Sequence, residues 1–133
     1  MLLLAANALL VAVALYFIAL GVLALARPAI AGRFLLGFAD SANKHFAELA
    51  ARLLAGGAML VAGPASAHPA AMATFGWLLV GSSAVMALIP WQLHDRFARA
   101  AVPRALRYLP LIGVGSLGLG LWLAWNVSMA RIA

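Results

Sequence analysis

The sequence predicts an all-α membrane protein, a four-helix transmembrane bundle, and two observations lead to this fold class. The chain has 133 residues, of which 67% are hydrophobic and only 9% charged. A soluble domain carries about 25% charged residues, so a chain this poor in charge could not cover its own surface in water. The second observation is that long stretches without Asp, Glu, Lys or Arg fill most of the chain. Helices are suited to lipid because they satisfy their own backbone hydrogen bonds. The length of the chain fits a single domain over 1–133.

The first apolar segment, residues 2–26, contains no charged side chain. It is long enough to cross a bilayer, which needs about 20 apolar residues. A signal peptide is the alternative, because Ala24-Leu25-Ala26 resembles a small-residue cleavage site. The segment has no basic start, however, and its apolar run exceeds the roughly 7–15 residues of a signal core. We therefore expect a retained transmembrane helix.

Residues 53–93 form a second long stretch without Lys, Arg, Asp or Glu. As one helix this stretch would be about 60 Å long, about twice the thickness of the hydrocarbon core. Gly63, Pro64 and Pro69 interrupt it, because glycine and proline break helices. Two helices joined by a short hairpin are therefore expected here, and a last apolar segment follows. The predicted spans are about 2–26, 44–62, 71–89 and 109–129.

The net charge of +6 comes from basic residues that collect in the first and third connections, while the middle hairpin has none. Lys and Arg concentrate on the cytoplasmic side of membrane proteins, so these two connections are predicted to be cytoplasmic and both termini outside. This interpretation is preferred to nucleic-acid binding. Arg131 is the exception to the pattern. The residues expected at the cytoplasmic lipid headgroups are Arg27, Arg33, Lys44, Arg96, Arg99, Arg104 and Arg107.

Both basic connections mix charged and apolar side chains in the manner of short amphipathic helices lying at the membrane surface. In the third connection we expect this helix to end at Val102-Pro103, because proline disfavours a helical residue before it. The two halves of the chain, 1–62 and 71–129, also resemble each other: a shift of about sixty residues places Pro28 on Pro90. Two tandem two-helix units are one interpretation. Chance similarity between leucine- and alanine-rich helices is the other.

The second predicted span contains the only acidic and basic side chains expected inside the membrane. His45, Glu48 and Arg52 fall on one stripe of the helix at 100° per residue. Glu48 is expected about 6 Å and Arg52 about 12 Å deeper than Lys44, at 1.5 Å per residue. Ionisable groups cost on the order of 3 kcal/mol each inside a membrane, which makes the stripe a candidate intramembrane polar site. The alternative is a structural pair, because Glu48 and Arg52 are spaced i to i+4.

His45 and His94 are weak candidates for metal ligands, since both are expected on the cytoplasmic side. A metal centre needs three or four converging ligands. The sequence does not supply such a set in one place, and without cysteine it has no thiolate ligand. We therefore predict no metal and no cofactor. No nucleophile, base and orienting group occur together either, so an enzyme is not expected.

The glycines of the helices are expected to let neighbouring helices approach closely. In the last span they also match the dinucleotide pattern G-x-G-x-x-G. That pattern binds a nucleotide only between a strand and a helix of a parallel sheet, so we reject this interpretation. The predicted packing glycines are Gly56, Gly57, Gly113, Gly115, Gly118 and Gly120.

These observations favour a non-enzymatic membrane protein, either an accessory or assembly partner of another membrane subunit or a homo-oligomer. The alternative is a small oligomeric transporter or channel that uses His45, Glu48 and Arg52. Its partners would be the lipid bilayer and other membrane proteins, and not nucleic acid. Arginine supplies eight of the nine cationic residues. Together with abundant alanine this is typical of a GC-rich bacterial genome, so a bacterial inner membrane is expected.

Overall fold

The computed structural model describes residues 1–37 and 41–130, and Arg131 lies outside them. Over the described ranges the chain is helical, without strands. Four stretches there are long and apolar enough to cross a membrane: α1, α3 with the turn that follows it, α4, and the stretch containing α5 and α6. This agrees with the predicted all-α class. The helices are α1 (Leu2–Ala26), α2 (Pro28–Leu36), α3 (Ala42–Ala62), α4 (Pro69–Ala87), α5 (Trp91–Ala105) and α6 (Leu109–Ser128), with 3₁₀ turns at Gly63–Ala65 and Leu106–Tyr108.

Local capping explains where two of these helices begin. The Ser41 hydroxyl accepts a hydrogen bond from the backbone N–H of Lys44 at 3.3 Å, so α3 begins at Ala42, two residues before the predicted start. Such a side chain satisfies one of the free N–H groups of the first turn. The next helix begins at Pro69, in the position where proline loses no hydrogen bond, and ends at Ala87 rather than 89.

The helix of the third connection is longer than predicted. It continues through Pro103 to Ala105, so the expected end at Val102-Pro103 is wrong. A proline inside a helix removes one backbone hydrogen bond, from its own missing N–H to the carbonyl four residues earlier. Here that loss falls in the last turn of a helix without a buried residue, so the carbonyl is not enclosed in the protein core. The stop comes instead at the 3₁₀ turn before α6.

Two helix pairs are packed through glycine. The first pair is α1 with α6, where a Cβ added at Gly21 would lie 2.7 Å from the backbone oxygen of Gly113. The second pair is α3 with α4, where a Cβ at Gly56 would lie 2.9 Å from the oxygen of Gly76. Helices that approach this closely gain van der Waals contact along their backbones. A third contact, between α1 and α3, joins the two pairs.

The bundle is packed differently at its two ends. At the turn end, where α3 turns into α4, all four long helices contribute to one core; Leu10, Met59, Met72 and Leu123 are buried together there. At the opposite end, the surface-helix end formed by α2 and α5, a separate core joins only α1, α2 and α6. The α3–α4 pair does not contribute to that second core. The polar side chains in the first half of α3 lie at this end, outside that second core.

The two halves have the same order of elements. The first half runs α1, α2, α3 and the second α4, α5, α6, each a long helix, a surface helix and a returning long helix. If the first half is superposed on the second, α1 falls on α4 and α3 falls on α6. The glycine-packed pair α1–α6 then corresponds to the other glycine-packed pair, α3–α4. The predicted duplication of 1–62 in 71–129 is compatible with this order and stays a prediction.

Candidate functional site

The polar stripe of α3 contacts α4 through Arg52. The guanidinium Nε donates a hydrogen bond to the Ser83 hydroxyl at 3.3 Å, and Nη2 donates to the hydroxyl of Ser82. Each serine in turn donates to the carbonyl four residues back in α4, on Leu79 and Leu78, at 2.6 Å. A serine that donates to its own helix keeps its lone pairs free to accept. The α4 backbone therefore orients two acceptors toward one guanidinium.

Glu48 lies one helical turn before Arg52, and the side chains of Arg52 and His94 come within 4 Å of its carboxylate. Its Oε1 is 3.6 Å from the guanidinium Nη1, and its Oε2 is 3.8 Å from His94 Nε2 on α5. Both distances exceed those of a hydrogen bond, which rarely passes 3.2 Å for N–H···O. The Glu48 side chain is 18% exposed. Among the described residues it is thus a largely enclosed carboxylate with ionisable neighbours but without a hydrogen-bond donor in contact.

His45 and His94 complete the cluster. Their Nδ1 atoms are 2.8 Å apart, although 49 residues separate them in sequence. The His45 side chain is buried, with 2% of the residue exposed. For this contact to be a hydrogen bond, one ring must donate from Nδ1 and the other must accept, which requires that at least one of them be neutral. The contact ties α5 to the first turn of α3.

The structure therefore brings the three stripe residues together with His94 in what we call the polar cluster: His45, Glu48, Arg52 and His94. The two histidines that were predicted as weak candidates for metal ligands contact each other through their Nδ1 atoms. No group of three His, Asp or Glu side chains that could hold a metal occurs in the described part of the chain. A protein metal site needs three or four ligands. The chemistry that this arrangement offers is hydrogen bonding, charge pairing and proton exchange.

Two cavities open beside Glu48 at the surface-helix end. The basic cavity, of about 490 Å³, lies between α2 and the start of α3 and is lined by Arg33, Lys44 and Glu48 among others. The apolar cavity, of about 300 Å³, lies under α5 and also reaches α2 and α6. Its walls are apolar, with Glu48 and His94 as the two ionisable side chains among them. Of the described residues, Glu48 is the one that lines both cavities.

The predicted headgroup residues all lie at the surface-helix end. Arg27 is the residue between α1 and α2, and Lys44, in the first turn of α3, donates from Nζ to the Gly37 carbonyl at 2.8 Å. In α5, Arg99 donates from Nε to both carboxylate oxygens of Asp95, at 2.9 and 3.0 Å. The others lie in α2 (Arg33), in α5 (Arg96 and Arg104) and in the turn before α6 (Arg107).

The predicted packing glycines divide into two groups. A Cβ added at Gly56, Gly113 or Gly120 would lie 2.8 to 3.0 Å from the nearest atom of another helix. The other group points away from the chain, with no atom of a neighbouring helix within 4 Å of an added Cβ; it comprises Gly57, Gly115 and Gly118. Gly21 and Gly76, which the sequence did not single out, also lie at close helix contacts.

Sequence reasoning missed three polar contributions. Ser82 and Ser83 bind Arg52, and the signal available was an adjacent pair of hydroxyls within an otherwise apolar span. Asn126 is fully buried at the turn end, where its Oδ1 accepts from the backbone N–H of His68 at 3.0 Å and its Nδ2 donates to the Trp122 carbonyl. That contact ties the end of α6 to the start of α4.

Comparisons of the chain with models of known protein families, with curated proteins and with solved structures found no match.

Proposed function

We propose that this chain is a small non-enzymatic membrane transport protein, a carrier or channel, in which Glu48 is the group that binds the transported ion or molecule. The observation that carries the proposal is the position of this carboxylate. It is shared by two cavities, it is largely enclosed, and neither Arg52 nor His94 is within hydrogen-bond distance of it. Enclosed ionisable groups in membrane helices are characteristic of ion and proton pathways.

The unequal packing of the bundle supports the same proposal. All four long helices meet in one core at the turn end, whereas the cavities open at the surface-helix end. A site that is open on one side and closed on the other is what one state of an alternating-access carrier requires. Two serines of α4 accept hydrogen bonds from the Arg52 guanidinium, and these bonds fix its positive charge beside Glu48.

The orientation in the membrane is part of the proposal. We place the surface-helix end in the cytoplasm of a bacterial cell and the turn end and both termini outside its inner membrane, because the basic residues gather in α2 and α5. Reporter domains fused at His68 and at the C-terminus should both report the outside. A cytoplasmic signal from either fusion contradicts this topology.

The transport function is tested by charge movement. Purified protein is reconstituted in liposomes, adsorbed on a solid-supported membrane and exposed to a rapid change of pH. We expect a transient current in the wild type and at least a tenfold smaller one in Glu48→Gln, because the amide cannot exchange a proton. Asp95→Asn is the matched control. It also removes one carboxylate at the surface-helix end, but this carboxylate pairs with Arg99 and lies outside the polar cluster. It should keep the wild-type current.

Loss of folding could imitate loss of transport, because Glu48→Gln leaves Arg52 beside a neutral group. The double variant Glu48→Gln with Arg52→Leu removes both charges and so avoids an unpaired one. We expect it to reconstitute as an intact helical protein without a current. If either variant carries the wild-type current, or if the wild type gives no more current than empty liposomes, the transport proposal is wrong.

An accessory or assembly subunit is the second candidate, and the outward glycines favour it. Gly115 and Gly118 lie three residues apart on the same side of α6, and no atom of a neighbouring helix in the described part of the chain lies within 4 Å of a Cβ added at either. Such spacing allows a helix of another subunit to approach. The measurement is the mass of the protein extracted in mild detergent: a dimer or a complex supports this candidate, and a lone monomer contradicts it.

A further inference from the structure

The apolar cavity under α5 has a composition that selects a ligand. Leu35 of α2, Ile112 of α6, and Phe97, Ala101 and Val102 of α5 supply apolar walls. Ligand pockets in proteins combine such walls with a few placed polar groups, and their volumes begin at about 300 Å³. The 300 Å³ of this cavity therefore suits a compact lipophilic molecule with one polar end.

The polar groups of the cavity determine what that polar end must be. Glu48 offers carboxylate oxygens, which accept hydrogen bonds and carry negative charge. The guanidinium beside it is 3.6 Å away and donates its Nε and Nη2 hydrogens to serines, so the carboxylate keeps accepting positions open. His94 contacts His45 through Nδ1, which leaves its Nε2 on the side of Glu48. An ion with several N–H donors fits the open accepting positions of the Glu48 carboxylate.

We propose that the apolar cavity binds small lipophilic primary amines as alkylammonium ions, with the ammonium group on Glu48 and the alkyl chain along α5. This inference rests on the proposed transport function and names its substrate class. An ammonium has three donors and no acceptor. An anionic head would be repelled by the carboxylate, and an alcohol would bring one donor without charge, so both should bind more weakly than the amine.

The test compares three probes with the same chain: octylamine, octanol and octanoate. Each is titrated into the full protein in phosphatidylcholine nanodiscs, with empty nanodiscs as the reference for uptake by lipid, and binding is followed by calorimetry. We expect octylamine to bind at least tenfold more tightly than the other two. Glu48→Gln should remove that preference, with the affinity for octanol unchanged.

A second pair of variants tests the cavity without touching its charges. Ala101→Leu fills the space under α5 and should weaken octylamine binding at least tenfold. Ala100→Leu, the matched control, adds the same side chain at the neighbouring exposed position and should leave binding unchanged. Equal binding of the three probes would mean that the cavity takes up any alkyl chain, including those of bilayer lipids, and would overturn the proposal. So would octylamine binding that neither Glu48→Gln nor Ala101→Leu reduces.

The two proposals fail in different ways. A pH-driven current that requires Glu48, together with no preference for octylamine, retains the transport function and rejects the amine as its substrate class. Octylamine binding that depends on Glu48 and Ala101, without any current, retains the site and rejects transport.

Discussion

Gly56 and Gly57 are adjacent in α3 and differ only in what they face, which makes them a sensitive test of the bundle. A Cβ added at Gly56 would lie 2.9 Å from the Gly76 carbonyl oxygen and 3.0 Å from side-chain atoms of Leu79 and Val80. Ordinary contacts of a Cβ begin at 3.4 Å. The difference, 3.4 minus 2.9, means that α4 must move about 0.5 Å away from α3 to admit one methyl group. At Gly57 the added Cβ meets nothing within 4 Å.

The expected magnitude follows from two terms. Replacing glycine by alanine favours a helix by up to about 1 kcal/mol, and this gain is the same at both positions. Overpacking a closely packed contact costs about 1–3 kcal/mol, and this cost applies to Gly56 alone. The helix term cancels in the comparison, so the free energy of unfolding of Gly56→Ala should lie about 1–3 kcal/mol below that of Gly57→Ala.

The assay is unfolding in mixed micelles by titration with sodium dodecyl sulfate, followed by far-UV circular dichroism and by tryptophan fluorescence. Gly56→Ala should unfold at a lower fraction of the denaturing detergent than the wild type, and Gly57→Ala at the same fraction or a higher one. If the two variants unfold together, or if Gly57→Ala is the less stable, the close contact of α3 with α4 is not the one described.

Four further predictions concern the polar contacts. Asn126→Leu should lower the free energy of unfolding by about 0.5–1.5 kcal/mol, because it removes the acceptor of the His68 backbone N–H. Asn7→Leu should leave stability unchanged or raise it in the same detergent titration, since the buried Oδ1 has no hydrogen-bond partner among the described residues. Ser83→Ala should cost about 1–3 kcal/mol by removing an acceptor of the Arg52 guanidinium, and Ser83→Thr should restore part of it. His94→Ala should free α5 from α3, and faster hydrogen exchange in α5 is the measurement; unchanged exchange contradicts a tie through the two histidines.

The glycine contact between α3 and α4 and the polar cluster depend on each other. Arg52 lies one helical turn before Gly56, so the same close approach of α4 brings Ser83 within 3.3 Å of the guanidinium. A variant that separates these two helices should therefore disturb the charge beside Glu48 as well as stability. This coupling is why the transport assay uses substitutions inside the polar cluster rather than at the glycines.

The sequence alone determined the helices and the stripe. Hydropathy and helix breakers are local properties, so residues 2–26 and the breaks at Gly63 and Pro69 could be read directly, and α1 runs over Leu2–Ala26. The period of a helix also placed His45, Glu48 and Arg52 on one side of α3. The repetition of helix, surface helix and helix in the second half is visible in the structure at the level of element order.

Tertiary structure decided which partner each of these residues meets. The long helices other than α3 are apolar on all sides, and lipid is as apolar as their packing faces, so the sequence contains no polarity pattern that shows which face meets which neighbour. That choice depends on the shape of backbones in contact, which separates Gly56 from Gly57 although they are identical and adjacent. For the same reason the sequence predicted no more about His94 than that it lies on the same side of the membrane as His45. Folding across 49 residues brings their Nδ1 atoms to 2.8 Å and completes the cluster around Glu48.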